Sequence, residues 1–264
     1  MNDLEALKLL ARRPSLLRPA GHLLLFSHMR AKTSLLSHLL GSHPEISGYY
    51  EMHIGYYSPR SLLKARLLFH SLHPDAPATR LYFDKILHNR HRVHHRLLNA
   101  SGVRPIFMLR SPVETLSSIM RLYKGRAHDG HLATEEGALG YYLQRLDGLV
   151  DLAGALQRDD VLYIDAEALS RDIGAVTQLL SEALGLSMRI PTEYQIMKLS
   201  GQVGRGDSSS RILAGKVLPE SGESYSGDLS SGAVSMAESH YDSARKFLLS
   251  RASVALTQDA FTSG

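Results

Sequence analysis

Residues 22–41, HLLLFSHMRAKTSLLSHLLG, change hydrophobic periodicity within one short stretch, and that change constrains the whole chain. Leu23 to Phe26 form a compact apolar run of strand length, with no polar position left over for a solvent-facing side. Such a strand is buried on both faces, which requires packed layers above and below it. From residue 33 the leucines recur as Leu35, Leu36, Leu39 and Leu40, one side of a helix. The segment therefore reads as strand, loop and helix.

The same alternation returns along the chain. LYFDK, PIFMLR and VLYID read as further buried strands, each followed by apolar spacing of helical period. A helix is predicted from Pro112, a residue suited to a first turn, through Leu116 and Met120. Others are predicted over 134–157, over 166–185 ending at Gly185, and over 233–249. Leu4, Leu7, Leu10 and Ala11 predict a short amphipathic helix before Pro14 that caps the domain. Residues 201–232, rich in Gly and Ser, read as loops, and TQDAFTSG as a frayed tail. Strands alternating with helices predict an α/β fold: a central parallel sheet flanked by helices, in one domain spanning 1–264.

Composition narrows the chemistry. The absence of cysteine excludes disulfides, thiol nucleophiles and thiolate metal sites. A formal charge of +4, with both signs interspersed, favours an anionic ligand without requiring nucleic acid. The amino terminus, MNDLEALKLLARRPSLLRPAGH, lacks the pattern of a secretory signal, and nowhere do about 18 apolar residues run together. A cytoplasmic protein without a membrane span is expected.

The loop after the first strand is where that anion is expected. A helix amino terminus presents unpaired N–H groups and a partial positive charge. Here Arg30, Ala31, Lys32, Thr33 and Ser34 add two cations and two hydroxyls, so the ligand reads as a phosphate. Lys32-Thr33-Ser34 matches the end of a Walker A loop, but both glycines of that motif are missing, with Ala31 near the position of the second.

A second match is closer. SHMRAKTSLLSHLLGSHPEI resembles the 5′-phosphosulfate loop of the sulfotransferase superfamily, with Arg30 at the basic position, Thr33 and Ser34 as the hydroxyl pair, and His43-Pro44 as its His-Pro. IFMLRSPVETLSS resembles that family's 3′-phosphate motif, an arginine at a strand end followed eight residues later by a serine, here Arg110 and Ser118. LYFDK matches the Asp-Lys of its intervening strand, as Asp84-Lys85, although Ile86-Leu87 replace the usual Thr-Pro. VLYIDAEALSRDIGAVTQLLSEALGL resembles the stretch that follows, and KLSGQVGRGDSS its carboxyl-terminal loop, matching Ser200, Gly201 and Arg205. The resemblance covers about residues 22–206 and leaves a carboxyl-terminal loop and helix over 207–264. The loop glycine of the family aligns with Lys32, a departure that bears on loop conformation and on activity.

The resemblance implies a fold close to that of P-loop kinases and transfer of a sulfonate from 3′-phosphoadenosine 5′-phosphosulfate (PAPS) to a hydroxyl or amine, with no metal. Its closest branch is the bacterial, carbohydrate and tyrosylprotein group. It implies that Arg30, Lys32 and Lys85 face the transferred group, that Arg110, Ser118, Gly201 and Arg205 hold the nucleotide, and that Glu51, with His53 second, takes the acceptor's proton. Tyr49, Tyr50, Tyr56 and Tyr57 are candidates for the acceptor cleft or for packing over a helix. His91, His94 and His95 read as a solvated helix face rather than a metal site. The acceptor itself, whether a small molecule, glycan, lipid or peptide, is not legible. Two alternatives stay open: a small-molecule kinase using ATP and Mg²⁺, for which the apolar run ending in Asp165 would supply a Walker B strand, and a noncatalytic nucleotide-binding relative.

Overall fold

The structure is a computed structural model that describes residues 2–202, 210–218 and 229–261. In chain order its elements are α1 (Asp3–Arg12), β1 (Gly21–Ser27), α2 (Thr33–Gly41), β2 (Ile46–Ser47), α3 (Pro59–Leu72), β3 (Leu81–Ile86), α4 (His95–Leu98) and β4 (Val103–Leu109). They continue with α5 (Pro112–Tyr123), α6 (Glu135–Gly154), β5 (Leu162–Asp165), α7 (Ala168–Arg171), α8 (Ile173–Ala183), α9 (Ser231–Arg251) and β6 (Val254–Leu256).

The strands form one six-stranded sheet in the order β2-β3-β1-β4-β5-β6, with every pairing parallel. The first apolar run is its centre. Alternate side chains of β1 enter opposite layers: Leu23 and Leu25 pack with Leu36, Leu39 and Leu180 from α2 and α8. Leu24 and Phe26 pack with Phe69, Leu116, Leu146 and Leu248 from α3, α5, α6 and α9. Burial of both faces explains why the run shows no polar alternation.

This strand order also places the functional edge. β1 lies between β3 and β4, so the chain crosses from one side of β1 to the other between them. A crevice opens at the carboxyl ends of strands where the order reverses in this way. Arg145 of α6 braces that edge from beneath: its Nε donates to Ser27 O at 2.8 Å, Nη2 to Ile86 O at 2.6 Å and Nη1 to Asn89 Oδ1 at 2.5 Å. Burial lowers its pKa to about 10, so it stays charged near neutrality.

Several expectations need correction. The helix expected over 166–185 is broken at Asp172, whose side chain accepts from Ala175 N and caps α8 separately from α7. Just before the tail lies β6, which pairs with β5, and within the tail Gln258–Phe261 form a 3-10 turn, with Gln258 N donating to Asp165 Oδ2 at 3.0 Å. α1 does form, with a reciprocal Asn2–Glu5 capping box, but it caps nothing with Leu4 and Leu7, which stay 61% and 64% exposed. Around the histidine-rich segment only α4 is helical; residues 87–94 are turn and loop, held beside Tyr56 by the Tyr56–Val93 bridge.

Candidate active site

The loop from β1 to α2 carries two residues in the left-handed region, Arg30 at φ 65° and Lys32 at φ 56°. Lys32 is the N-cap of α2 and offers it no side-chain hydrogen bond, so the first-turn N–H groups of that helix face the crevice uncapped by Lys32. Ala31, between the two, is buried. Lys32 occupies the position where the family has glycine, and its backbone takes up the glycine-favouring conformation. Its ammonium donates to Ser170 Oγ of α7 at 2.7 Å.

The other predicted residues converge on this loop. Arg30 Nε donates to Ser118 Oγ on the second turn of α5 at 2.8 Å, and Arg110 Nη1 to Arg30 O at 3.2 Å. Arg110 Nε is buried and has no hydrogen-bond partner. A guanidinium N–H left in that state has a strong unmet demand for an acceptor, which a phosphate oxygen satisfies. From the other side, Lys85 at the end of β3 donates to Ser34 Oγ at 3.2 Å and is 2% exposed. Thr33 is buried on the same helix turn.

Of two positioning residues in this region, His28 carried no sequence signal, and Asp84 stood out only as the neighbour of Lys85 in the Asp-Lys match. His28 is fully buried, its Nδ1–H donates to Met29 O at 2.9 Å, and its Nε2 accepts from Arg110 N at 3.1 Å. Burial, with the charges of Arg145 and Arg110, lowers its pKa to about 4 and keeps the imidazole neutral. Asp84 lies beneath Glu51: Oδ1 accepts from Met52 N at 3.0 Å and Lys85 N at 2.8 Å, and Oδ2 from Tyr56 Oη at 2.7 Å. Burial pushes its pKa up to about 7, against the three donors and with the help of the Glu51 charge.

Glu51 and His53 follow β2 on this same edge. Glu51 is 5% exposed, and His53 Nδ1 lies 3.7 Å from Glu51 Oε2. An extended segment would have put them on one side; instead His53 adopts φ 53° and still reaches the carboxylate. Of the tyrosines, Tyr49, Tyr50 and Tyr56 are core residues, Tyr56 as the Asp84 donor, and Tyr57 is exposed. His43 forms a structural turn: Nε2–H donates to Met188 O at 3.0 Å and Nδ1 accepts from Glu45 N at 3.2 Å.

Of the remaining sequence candidates, Ser200 and Gly201 lie in the carboxyl-terminal loop and Asp165 at the end of β5. Ser200 Oγ meets His38 Nε2 at 2.8 Å and so ties the carboxyl-terminal loop to α2, next to Gly201 at φ 75°. Arg205 lies outside the described residues. Asp165, the strand-end carboxylate of β5, is fully buried and holds Arg245 at 2.6 and 3.0 Å, Tyr163 Oη at 2.7 Å and Gln258 N at 3.0 Å.

No protein-family model and no curated protein matches the chain. Among solved structures, mouse sulfotransferase SULT7A1 complexed with PAP is similar over 94% of this chain and 95% of that one, at 12% identity and a TM-score of 0.53. The sulfotransferase domain from the Synechococcus PCC 7002 olefin synthase is similar over 83% of this chain and 94% of that one, at 17% identity and a TM-score of 0.50. The six-stranded parallel sheet that carries this cationic loop at the end of its central strand is thus a sulfotransferase fold.

Proposed function

We propose that the chain transfers a sulfonate group from PAPS to a hydroxyl or amine of an acceptor. The observation that carries this reading is the meeting of two separately recognised motifs: Arg30 of the β1–α2 loop reaches Ser118 of α5, beside Arg110, whose Nε is buried without an acceptor. Arg110 and Ser118 are suited to a 3′-phosphate, while Arg30, Lys85, Ser34 and the amino terminus of α2 suit the 5′ end.

In the transfer, the sulfur–oxygen bond to the bridging phosphate oxygen breaks as a bond to the acceptor oxygen forms. The acceptor's proton passes to the Glu51 carboxylate, and adenosine 3′,5′-bisphosphate leaves. Lys85 and the α2 N–H groups are the donors placed to stabilise charge on the departing oxygen. Glu51, close to His53 and largely shielded from water, serves as base.

The kinase reading draws no support from β5, because the Asp165 carboxylate is already occupied by Arg245, Tyr163 and Gln258. Calorimetry with adenosine 3′,5′-bisphosphate and, separately, Mg·ATP tests the proposal. The bisphosphate is expected to bind without metal. Metal-dependent binding of ATP with none of the bisphosphate would overturn it.

A further inference from the structure

The neighbouring ends of β4 and β5 bear on how the sulfonate donor is recognised, an inference that rests on the sulfotransferase reading. Leu109 is paired in register with Asp165, and Ala166 N donates to Leu109 O at 2.8 Å. Arg110 and Glu167 each follow directly on that contact, so they leave the sheet side by side at its carboxyl edge. One residue further on they are tied again. Glu167 Oε1 accepts from Ser111 N at 2.9 Å and from Ser111 Oγ at 2.8 Å, which fixes the carboxylate at the amino terminus of α5. The second oxygen, Glu167 Oε2, is buried and among the described residues has no hydrogen-bond partner, as is also the case for Arg110 Nε. An unpaired acceptor and an unpaired donor thus stand on adjacent strand ends.

A buried carboxylate oxygen without a donor is costly, as is a guanidinium N–H without an acceptor, and one ligand can satisfy both. A phosphate oxygen meets the need of Arg110 but not that of Glu167, because it is itself an acceptor. The ligand must therefore carry a donor close to its phosphate. In a nucleoside 3′-phosphate that donor is the 2′-hydroxyl, on the carbon next to the one that bears the phosphate, whereas the amino group of adenine is at the far end of the base. The charge that Glu167 brings beside a phosphate is offset by Arg110, by Arg30 and by the amino terminus of α5.

We propose that Glu167 Oε2 accepts a hydrogen bond from the ribose 2′-hydroxyl of the donor, and so selects a 3′-phosphorylated ribonucleotide over its 2′-deoxy and 2′-phosphate analogues. Calorimetry with adenosine 3′,5′-bisphosphate, 2′-deoxyadenosine 3′,5′-bisphosphate and adenosine 2′,5′-bisphosphate tests this. The parent should bind the deoxy compound roughly tenfold or more weakly than the ribo compound, as when a buried charged acceptor is left unpaired, and the 2′,5′ isomer more weakly still. Glu167→Ala should bring the ribo-to-deoxy ratio near unity. Glu167→Gln keeps the shape; with its amide oxygen on Ser111 N, its amide N–H takes the place of Oε2, so this variant should bind the 2′,5′ isomer more tightly than the parent does. Glu114→Ala, which removes an exposed carboxylate that meets Ser111 Oγ at 2.5 Å, should leave the ribo-to-deoxy ratio at the parent value. Equal binding of the ribo and deoxy compounds by the parent, or a ratio unchanged in Glu167→Ala, would overturn the inference. Binding of none of the three nucleotides would instead remove the sulfotransferase reading beneath it.

Discussion

Arg30 donates its Nε–H to the Ser118 hydroxyl at 2.8 Å across a sequence separation of 88 residues. One residue belongs to a loop after the central strand, the other to a helix after its neighbour β4. Their contact turns two sequence motifs into one cradle at the point where the strand order reverses. Arg110 completes it by donating to the backbone of Arg30 while its Nε waits, buried, for an acceptor.

That unmet donor gives the first prediction. Arg110→Ala should weaken adenosine 3′,5′-bisphosphate binding by about 1.5–3 kcal/mol, the range for a lost hydrogen bond to a charged group. Titration calorimetry reads it directly. An unchanged affinity would take Arg110 out of the nucleotide site.

Glu51 provides the second. Glu51→Gln keeps the shape and removes the basic oxygen, so bisphosphate affinity should hold while turnover falls by roughly 10²–10⁴, the usual contribution of a positioned base. His53→Ala should cost less, because His53 touches the proton acceptor rather than replacing it. Full turnover in the Gln variant would move the base elsewhere, with His53 next in line.

Asp84 provides the third, on stability. Its carboxyl titrates near 3.8 in an unfolded chain and at about 7 in the fold, where burial disfavours the charge. Between those values the unfolded chain has lost this proton and the native protein still holds it, so the Asp84 contribution falls as pH rises through that window. Asp84→Asn removes the titration. The stability of the parent minus that of the variant, from denaturant midpoints, should therefore decrease between about pH 4 and pH 7 and level off above. A difference that is flat, or that grows with pH, would mean that Asp84 is ionised in the fold throughout.

What could be read from the sequence was local. The switch from the Leu23–Phe26 run to the Leu35–Leu40 spacing marked β1 and α2, and the eight-residue step from Arg110 to Ser118 marked the far side of the site, because strand length and helix pitch are properties of adjacent residues. The parts that escaped depend on partners far away in the chain. Arg145 is an ordinary arginine until Ser27 and Ile86 turn their carbonyls toward it, and Asp84 joins Met52, Tyr56 and Lys85 only once β3 is in place. His28, one histidine among 14, has no signal of its own beyond lying next to a strand end. The strand β6 is three residues long, too short for alternation to reveal it.

Lys32 gives the last prediction, which concerns the order of glycine and alanine at the N-cap of α2. The residue holds φ 56° as N-cap of α2, a conformation that costs a residue with a Cβ roughly 1–2 kcal/mol and costs glycine little. Against that cost stands the hydrogen bond of its ammonium to Ser170 Oγ. Lys32→Ala loses the bond and keeps the strained backbone, so it should destabilise the protein by about 1 kcal/mol. Lys32→Gly loses the same bond but relieves the backbone, so it should lie within about 1 kcal/mol of the parent. Glycine should thus be more stable than alanine at this position, the reverse of their order within a helix. Thermal unfolding of the two variants side by side tests this. Alanine equal to or better than glycine would show that the left-handed backbone at Lys32 is not what holds the loop in shape.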